Sequence, residues 1–273
     1  MKTILVATDN SLVAINALHY AADFAADTNK NIVLLTCYEM LVSSSYDVAF
    51  ANPTSLDIES SIRESHNTII ENLKLKHPQL VIESVVIQGN TTDTIINEAK
   101  KNNAELIVAG VSGRNAISSF ILGSTTKSII HENKFPVLAI PENATYKGIH
   151  RTAFAFDHKH FNRTKLEVLT NFLHTVKSKL LIINVVHEIK DLNMANALAG
   201  LELENLLYDV EHTYHYPADE NIAKKLYDFC AEFSIDCLAV IPHHHSLLEK
   251  IFASSQTDKI LEHITIPLLS IPD

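Results

Sequence analysis

The sequence predicts an α/β protein: two tandem, doubly wound domains, each on a five-stranded parallel sheet. Three observations predict it. Short apolar runs alternate with segments of helical periodicity, the pattern of β-α-β units. The alternation restarts near residue 150. The two closing segments also match, Asn133-Lys-Phe-Pro-Val-Leu-Ala-Ile-Pro141 against Ile264-Thr-Ile-Pro-Leu-Leu-Ser-Ile-Pro272. A repeat read first fixes every later boundary. Residues 1–142 form the first domain and 150–273 the second, joined over the polar segment Glu142–His150, which contains Gly148.

In the first copy, Ile4–Ala7 is a buried strand. Asn10 and Ser11 offer helix caps, and Ala14, Ala17, Leu18, Ala21 and Ala25 then share one helical face. Ile32–Cys37 is the second strand. A polar entry over Ser43–Ser55 leads to a helix over Leu56–Lys76, and Val81–Gln88 is the third strand. Thr91 or Thr92 caps a helix carrying Ile95, Ile96 and Ala99. Glu105–Ala109 is the fourth strand. A glycine-rich loop enters a helix over Ser124–Glu132, and Pro136–Ile140 is the fifth strand. In the second copy, Thr152–Phe156 leads to Asp157 as Ile4–Thr8 leads to Asp9. A helix with Leu166, Leu169, Leu173 and Val176 follows, then a strand over Leu180–Val186. A helix over Ala218–Phe233, a strand over Cys237–Ile241 and the closing Pro267–Ile271 complete it. This copy is shorter, with the deficit between its second and third strands.

Composition narrows the function. At 273 residues the chain suits two domains of roughly 150 residues each. It is 47% hydrophobic and 20% charged, which supports packed cores rather than disorder. The net charge of -10 repels a phosphate backbone, so nucleic acid is not an expected partner. A nucleotide is compatible with it, because backbone N–H groups hold phosphates without basic side chains. Cys37, Cys230 and Cys237 form no CxxC pair and read as reduced, buried residues of a cytosolic protein. The opening Met-Lys-Thr-Ile-Leu-Val-Ala-Thr-Asp is no signal peptide. No apolar run approaches the ~18 residues of a membrane span. The expectation is a cytoplasmic protein that does not engage a membrane.

The chemistry concentrates in one loop. The chain has six glycines, and three of them are Gly110, Gly113 and Gly123. Glycine serves where backbone takes φ > 0 or approaches a ligand closely. A strand end, a glycine loop and a helix start together present N–H groups to an anion. Ser124, Thr125 and Thr126 add hydroxyls at the positive end of the helix dipole. The plainer reading is a tight turn with a helix cap. Neither a Walker P-loop nor a dinucleotide G-x-G-x-x-G occurs.

Two residues separate Gly110 from Gly113, nine separate Gly113 from Gly123, and Ser124 follows. This spacing resembles the nucleotide-binding signature of the universal stress protein family. The opening Ile-Leu-Val-Ala-Thr-Asp9-Asn-Ser, the turn Gln88-Gly89-Asn90 and the run Glu105-Leu-Ile-Val-Ala-Gly110 are similar to that family too. The resemblance covers both halves. It implies an adenine nucleotide alpha hydrolase-like fold with strand order 3-2-1-4-5, and ATP as ligand, with or without Mg²⁺. It implies that Thr8 and Asp9 meet the ribose or adenosine part and that the backbone at Cys37 meets adenine. Gly110, Gly113, Gly123 and Ser124 would hold phosphates, helped by Thr125 and Thr126. Asp9 also reads simply as a helix-start residue. Pro136–Ile140 and Pro267–Ile271 are apolar edge strands that need cover, so the two halves are expected to pack as an intramolecular pseudo-dimer, and the resemblance implies that these strands pair antiparallel.

The second copy departs from the signature. Aligning Pro267 with Pro136 sets Ile241 at Gly110, His244 at Gly113, Ser254 at Gly123 and Ser255 at Ser124. The ATP site is therefore not expected there. His243, His244 and His245 stand outside the signature. With Asp157 and His187 they suit Zn²⁺ by ligand type, or else they form a solvated polar loop. The leading functional expectation is a nucleotide sensor in a stress response, linked to an unnamed protein partner. A slow ATPase or nucleotide-transferring enzyme and a nucleotide-independent assembly module are the other two classes.

Overall fold

Among the described residues, the first half of the chain alternates five strands with four helices. The strands are β1 (Thr3–Ala7), β2 (Asn31–Tyr38), β3 (Ile82–Gln88), β4 (Ala104–Val111) and β5 (Val137–Pro141). The helices are α1 (Leu12–Thr28), α2 (Ser55–Lys76), α3 (Thr91–Lys101) and α4 (Ser124–Glu132). After them come β6 (Arg151–Ala155), α5 (Arg163–Val176), β7 (Lys179–Ile183) and β8 (His212–His215). The last elements are α6 (Ile222–Glu232), β9 (Cys237–Val240) and β10 (Leu268–Ser270). The structure, a computed structural model, describes residues 3–39, 54–111, 124–156, 163–185, 203–219, 221–242 and 265–272.

Local chemistry sets the helix ends. Ser11 caps α1, its hydroxyl accepting the Ala14 N–H at 3.3 Å. Asn29, in the left-handed region at φ 53°, stops it. Thr54 and Asp57 form a reciprocal capping box at α2. Asn90 caps α3 by accepting the Asp93 N–H at 3.2 Å, where the sequence pointed to Thr91 or Thr92. α6 begins at Ile222 rather than Ala218. The Asn221 side chain takes the Lys224 N–H, while Ala218 sits in a β-bridge.

The two five-strand runs join into one ten-stranded sheet of order β3-β2-β1-β4-β5-β10-β9-β6-β7-β8. Each run keeps the order 3-2-1-4-5. Every pairing within a run is parallel. At the seam β5 and β10 run antiparallel, Leu268 opposite Ala139 and Ser270 opposite Val137. Joining them removes two apolar edges that would otherwise template aggregation.

Side chains alternate across the sheet, so each face carries its own core. Ile4 and Val6 pack with α1, α2 and α5 residues on one face, including Ala17, Ala21, Leu73 and Leu169. Leu5 and Ala7 pack with α3, α4 and α6 residues on the other, including Ile95, Ile129 and Phe229. Both cores run through both halves. The small residues of α1 let it lie close to the strands.

Two features were not legible as expected. The third strand of the second run, β8, reads His-Thr-Tyr-His and has no apolar run. It is one of the sheet's two edges, paired among the described residues only with β7. One face is covered by α6, with His215 edge-on to Phe229 and Phe233 at 5.0 and 4.8 Å. The polar join between the halves is also anchored. The Asn16 amide donates to the Pro141 and Ala144 carbonyls at 3.1 and 3.0 Å. The Tyr146 hydroxyl donates to Asp27 at 2.6 Å, and Ala144 and Ile149 are buried.

Candidate functional site

Strand order reverses at β1. The chain adds β2 and β3 on one side, then crosses to add β4 and β5 on the other. Ligands of such sheets bind in the crevice at the carboxyl ends of the strands flanking the reversal. Ala7, the last residue of β1, is opposite Leu35 in β2 and Ala109 in β4. The next residues, Thr8, Thr36 and Gly110, therefore rim the crevice together.

The β1–α1 turn is tightly bonded. The Thr8 N–H donates to the Leu35 carbonyl at 2.9 Å, and the Asn10 N–H donates to the Thr8 hydroxyl at 3.1 Å. The exposed Asp9 carboxylate accepts the Ser11 N–H at 3.0 Å. This bond fits its reading as a helix-start residue and leaves its exposed carboxylate facing solvent. Asn10 is left-handed, at φ 61°, and its buried Oδ1 has no hydrogen-bond partner among the described residues. A buried acceptor without a donor carries a desolvation cost that a ligand hydroxyl or amino group removes.

Across the crevice, α4 begins with exposed Ser124, half-buried Thr125 and buried Thr126. The Thr126 hydroxyl donates to the Gly110 carbonyl at 3.0 Å, tying the first turn of α4 to the end of β4. Ser124 is thereby left as the open hydroxyl at the positive end of the helix. Gly110 has a structural reason of its own. A Cβ there would lie 2.8 Å from both Cγ1 and the carbonyl oxygen of Val13 in α1. The missing Cβ makes room for α1.

Cys37 lies near the end of β2, opposite Ile87 of β3. Burial, reinforced by Glu98, pushes its thiol up to about 11 against a hydrogen bond with Thr94 that lowers it. The thiol stays protonated at neutral pH and is no nucleophile. Any ligand contact there falls to the backbone.

Beneath the rim lies a polar chain that the motifs did not announce. The Thr36 hydroxyl donates to the Thr8 carbonyl at 2.9 Å and is 2.8 Å from Nε2 of His66. Nδ1 of His66 is 2.8 Å from the Ser84 hydroxyl of β3. With the Thr36 proton committed to Thr8, Nε2–H donates to Thr36 and Nδ1 accepts from Ser84. The imidazole is neutral because it is buried. It is 0% exposed, and burial, with a smaller effect of Arg63, lowers its pKa to about 4. The sequence signal was present: His66 sits on the buried stripe of α2 with Ile70 and Leu73.

Gly113 and Gly123 lie outside the described residues, as do Asp157, His187, His243, His244 and His245. Among the described residues no three His, Cys, Asp or Glu side chains gather as a metal site. Nor is any described helix long and apolar enough to cross a membrane. In the second half, Ala155 is opposite Val240 as Ala7 is opposite Ala109, so Ile241 takes the position of Gly110. Seven residues separate β6 from α5, against four between β1 and α1.

Comparison with known proteins locates this geometry. A family model described as "Universal stress protein family" matches residues 1–141. A curated relative from Staphylococcus saprophyticus, named for that family, is 26% identical over 146 residues, spanning 51% of this chain and 83% of its own length. Another, from Staphylococcus aureus strain USA300, is 28% identical over 142 residues, with the same coverages. The crystal structure of a universal stress protein from Archaeoglobus fulgidus matches with a TM-score of 0.74 at 18% identity, over 99% of this chain and 98% of that one. A functionally unknown protein from Pseudomonas aeruginosa matches with a TM-score of 0.60 at 13% identity, over 100% and 93%. At these identities the two structures establish a shared fold.

Proposed function

Because the chain belongs to the universal stress protein family, we propose that its first half binds an adenine nucleotide, ATP with or without Mg²⁺, and reports its presence to a protein partner in a stress response. The observation that carries this reading is the crevice between β1 and β4. There the Thr8–Asp9–Asn10 turn faces the first turn of α4 across the Ala7–Ala109 pair. Asn10 offers its buried acceptor to the nucleoside, and Asp9 accepts from ribose hydroxyls. The backbone at Cys37 borders the adenine. Ser124 and the N–H groups of α4, with Thr125, Gly110, Gly113 and Gly123, hold the phosphates. Bound, the nucleotide supplies the negative charge that the α4 N-terminus favours.

Signalling follows from linkage. A nucleotide that binds the native state stabilises it, and a partner that prefers the occupied surface converts occupancy into output. Catalysis is the weaker reading. Both ring nitrogens of His66 are engaged and shielded from solvent, so it does not serve as a base for water. Localisation in the cytoplasm, where ATP is abundant, suits this role.

Mass spectrometry of ligand released from purified, denatured protein, with calorimetric titration of ATP, tests the reading. The expected result is an adenine nucleotide in the released fraction and saturable micromolar binding, roughly -8 kcal/mol. No released adenine compound and no binding of ATP, ADP or AMP would overturn it.

A further inference from the structure

A second cavity, of about 300 Å³, opens at the far end of β4 from the crevice, beside Ala104–Leu106. Its volume is at the lower end for small-molecule sites. Both halves of the chain wall it. Phe24 of α1 and Phe172 of α5 face each other across the halves, ring centroids 6.3 Å apart and planes 14° from parallel. Lys30 lines the same space in an ion pair with Glu105, and Asn171 is exposed at its rim.

The ion pair is the informative feature. The Lys30 side chain is 7% exposed, that of Glu105 28%. An ammonium buried against a carboxylate is at best neutral for stability relative to an apolar pair of similar size. Core stability therefore does not explain a lysine on the wall of a largely apolar cavity. A ligand does. Glu105 takes one of the three N–H donors of the ammonium, leaving donors for an acceptor on a guest. The chain carries a net charge of -10, which disfavours an anion. The two phenyl rings favour a flat, apolar body.

We propose that this cavity between the halves binds a small uncharged aromatic molecule carrying one hydrogen-bond-accepting oxygen, a phenol or an aryl amide. Its ring packs against Phe24 and Phe172 and its oxygen accepts from Lys30. Such a guest touches α1 and α5 together and so braces one half against the other.

The probe is 2-naphthol. The protein has no tryptophan, so naphthol fluorescence excited above the tyrosine band reports the probe alone. The expected result is saturable one-to-one binding with a sub-millimolar Kd, unchanged by saturating ATP. Thr175→Trp, which fills the cavity from α5, weakens it at least tenfold on the order expected for a blocked pocket, with the melting temperature retained. Lys30→Met weakens it by about fivefold, the loss of one hydrogen bond, and carries the test if Thr175→Trp does not fold. Absence of saturation overturns the proposal, as does equal affinity in both variants. Competition by ATP assigns the probe to the nucleotide crevice, and tighter binding of 2-naphthoate refutes the uncharged class; either result overturns it.

Discussion

The buried imidazole of His66 lies 2.8 Å from the hydroxyl of Thr36, the same hydroxyl that holds the Thr8 carbonyl at the end of β1. One helix residue thus fixes two strand ends at the rim of the crevice. The buried site requires a neutral ring, because burial disfavours the charged imidazolium.

That requirement makes stability depend on pH. The native pKa is lowered to about 4, while an unfolded histidine titrates near 6.5. Above pH 6.5 both states are neutral and the contribution is complete. As pH falls from 6.5 toward 4 the unfolded state gains the proton first, and stability drops by roughly 3 kcal/mol at most. His66→Gln keeps a donor and an acceptor but does not titrate. Urea unfolding across this window should show a flatter stability profile for His66→Gln than for the native chain. Parallel profiles would show that the ring is not held neutral.

Gly110→Ala should destabilise the fold before it touches any ligand. The added Cβ meets the Val13 carbonyl oxygen at 2.8 Å, and a backbone atom cannot rotate away. The start of α1 must shift, at a cost of about 1–3 kcal/mol. Val13→Ala removes the side-chain clash but leaves the carbonyl, so the double variant should recover little. Thermal unfolding of the three variants measures this, and a melting temperature unchanged in Gly110→Ala would return the residue to a purely ligand-facing role.

ATP turnover should be negligible. The Cys37 thiol is protonated at neutral pH and His66 is sealed beneath Thr36, so neither supplies a base or a nucleophile. Phosphate release measured over many turnovers should fall far below ordinary enzyme rates of about 1 s⁻¹. A rate of that order, lost in Gly123→Val, would make the protein an enzyme.

The sheet was legible because its strands are buried runs with little ambiguity. Ile4–Ala7, Ile32–Cys37 and Glu105–Ala109 all lie within observed strands. β8 was not legible, because an edge strand with one wet face needs only alternation, and His-Thr-Tyr-His barely shows it. Helix starts went astray where several capping residues adjoin. Asn90 precedes Thr91 and Thr92, and only the backbone trajectory decides which side chain meets the Asp93 N–H. At the site, glycine spacing singled out Gly110 but not its packing role. Its steric partner, Val13, is nearly a hundred residues away in sequence. His66 was missed because a histidine on an apolar stripe reads as a defect until Thr36 and Ser84 are seen beside it.

Nucleotide should bind once per chain, in the first half only. The register of the sheet sets Ile241 where Gly110 stands, and Pro242 after it has no N–H to donate. The β6–α5 connection is also three residues longer than β1–α1. Losing two or three charge-assisted hydrogen bonds costs about 1.5–3 kcal/mol each. That moves a micromolar site beyond millimolar. Gly113→Val should therefore abolish ATP binding by the whole chain, while His244→Ala should leave it nearly unchanged. Calorimetric titration gives affinity and stoichiometry together. A stoichiometry near two, or binding that persists in Gly113→Val, would place a working nucleotide site in the second half despite Ile241 and Pro242.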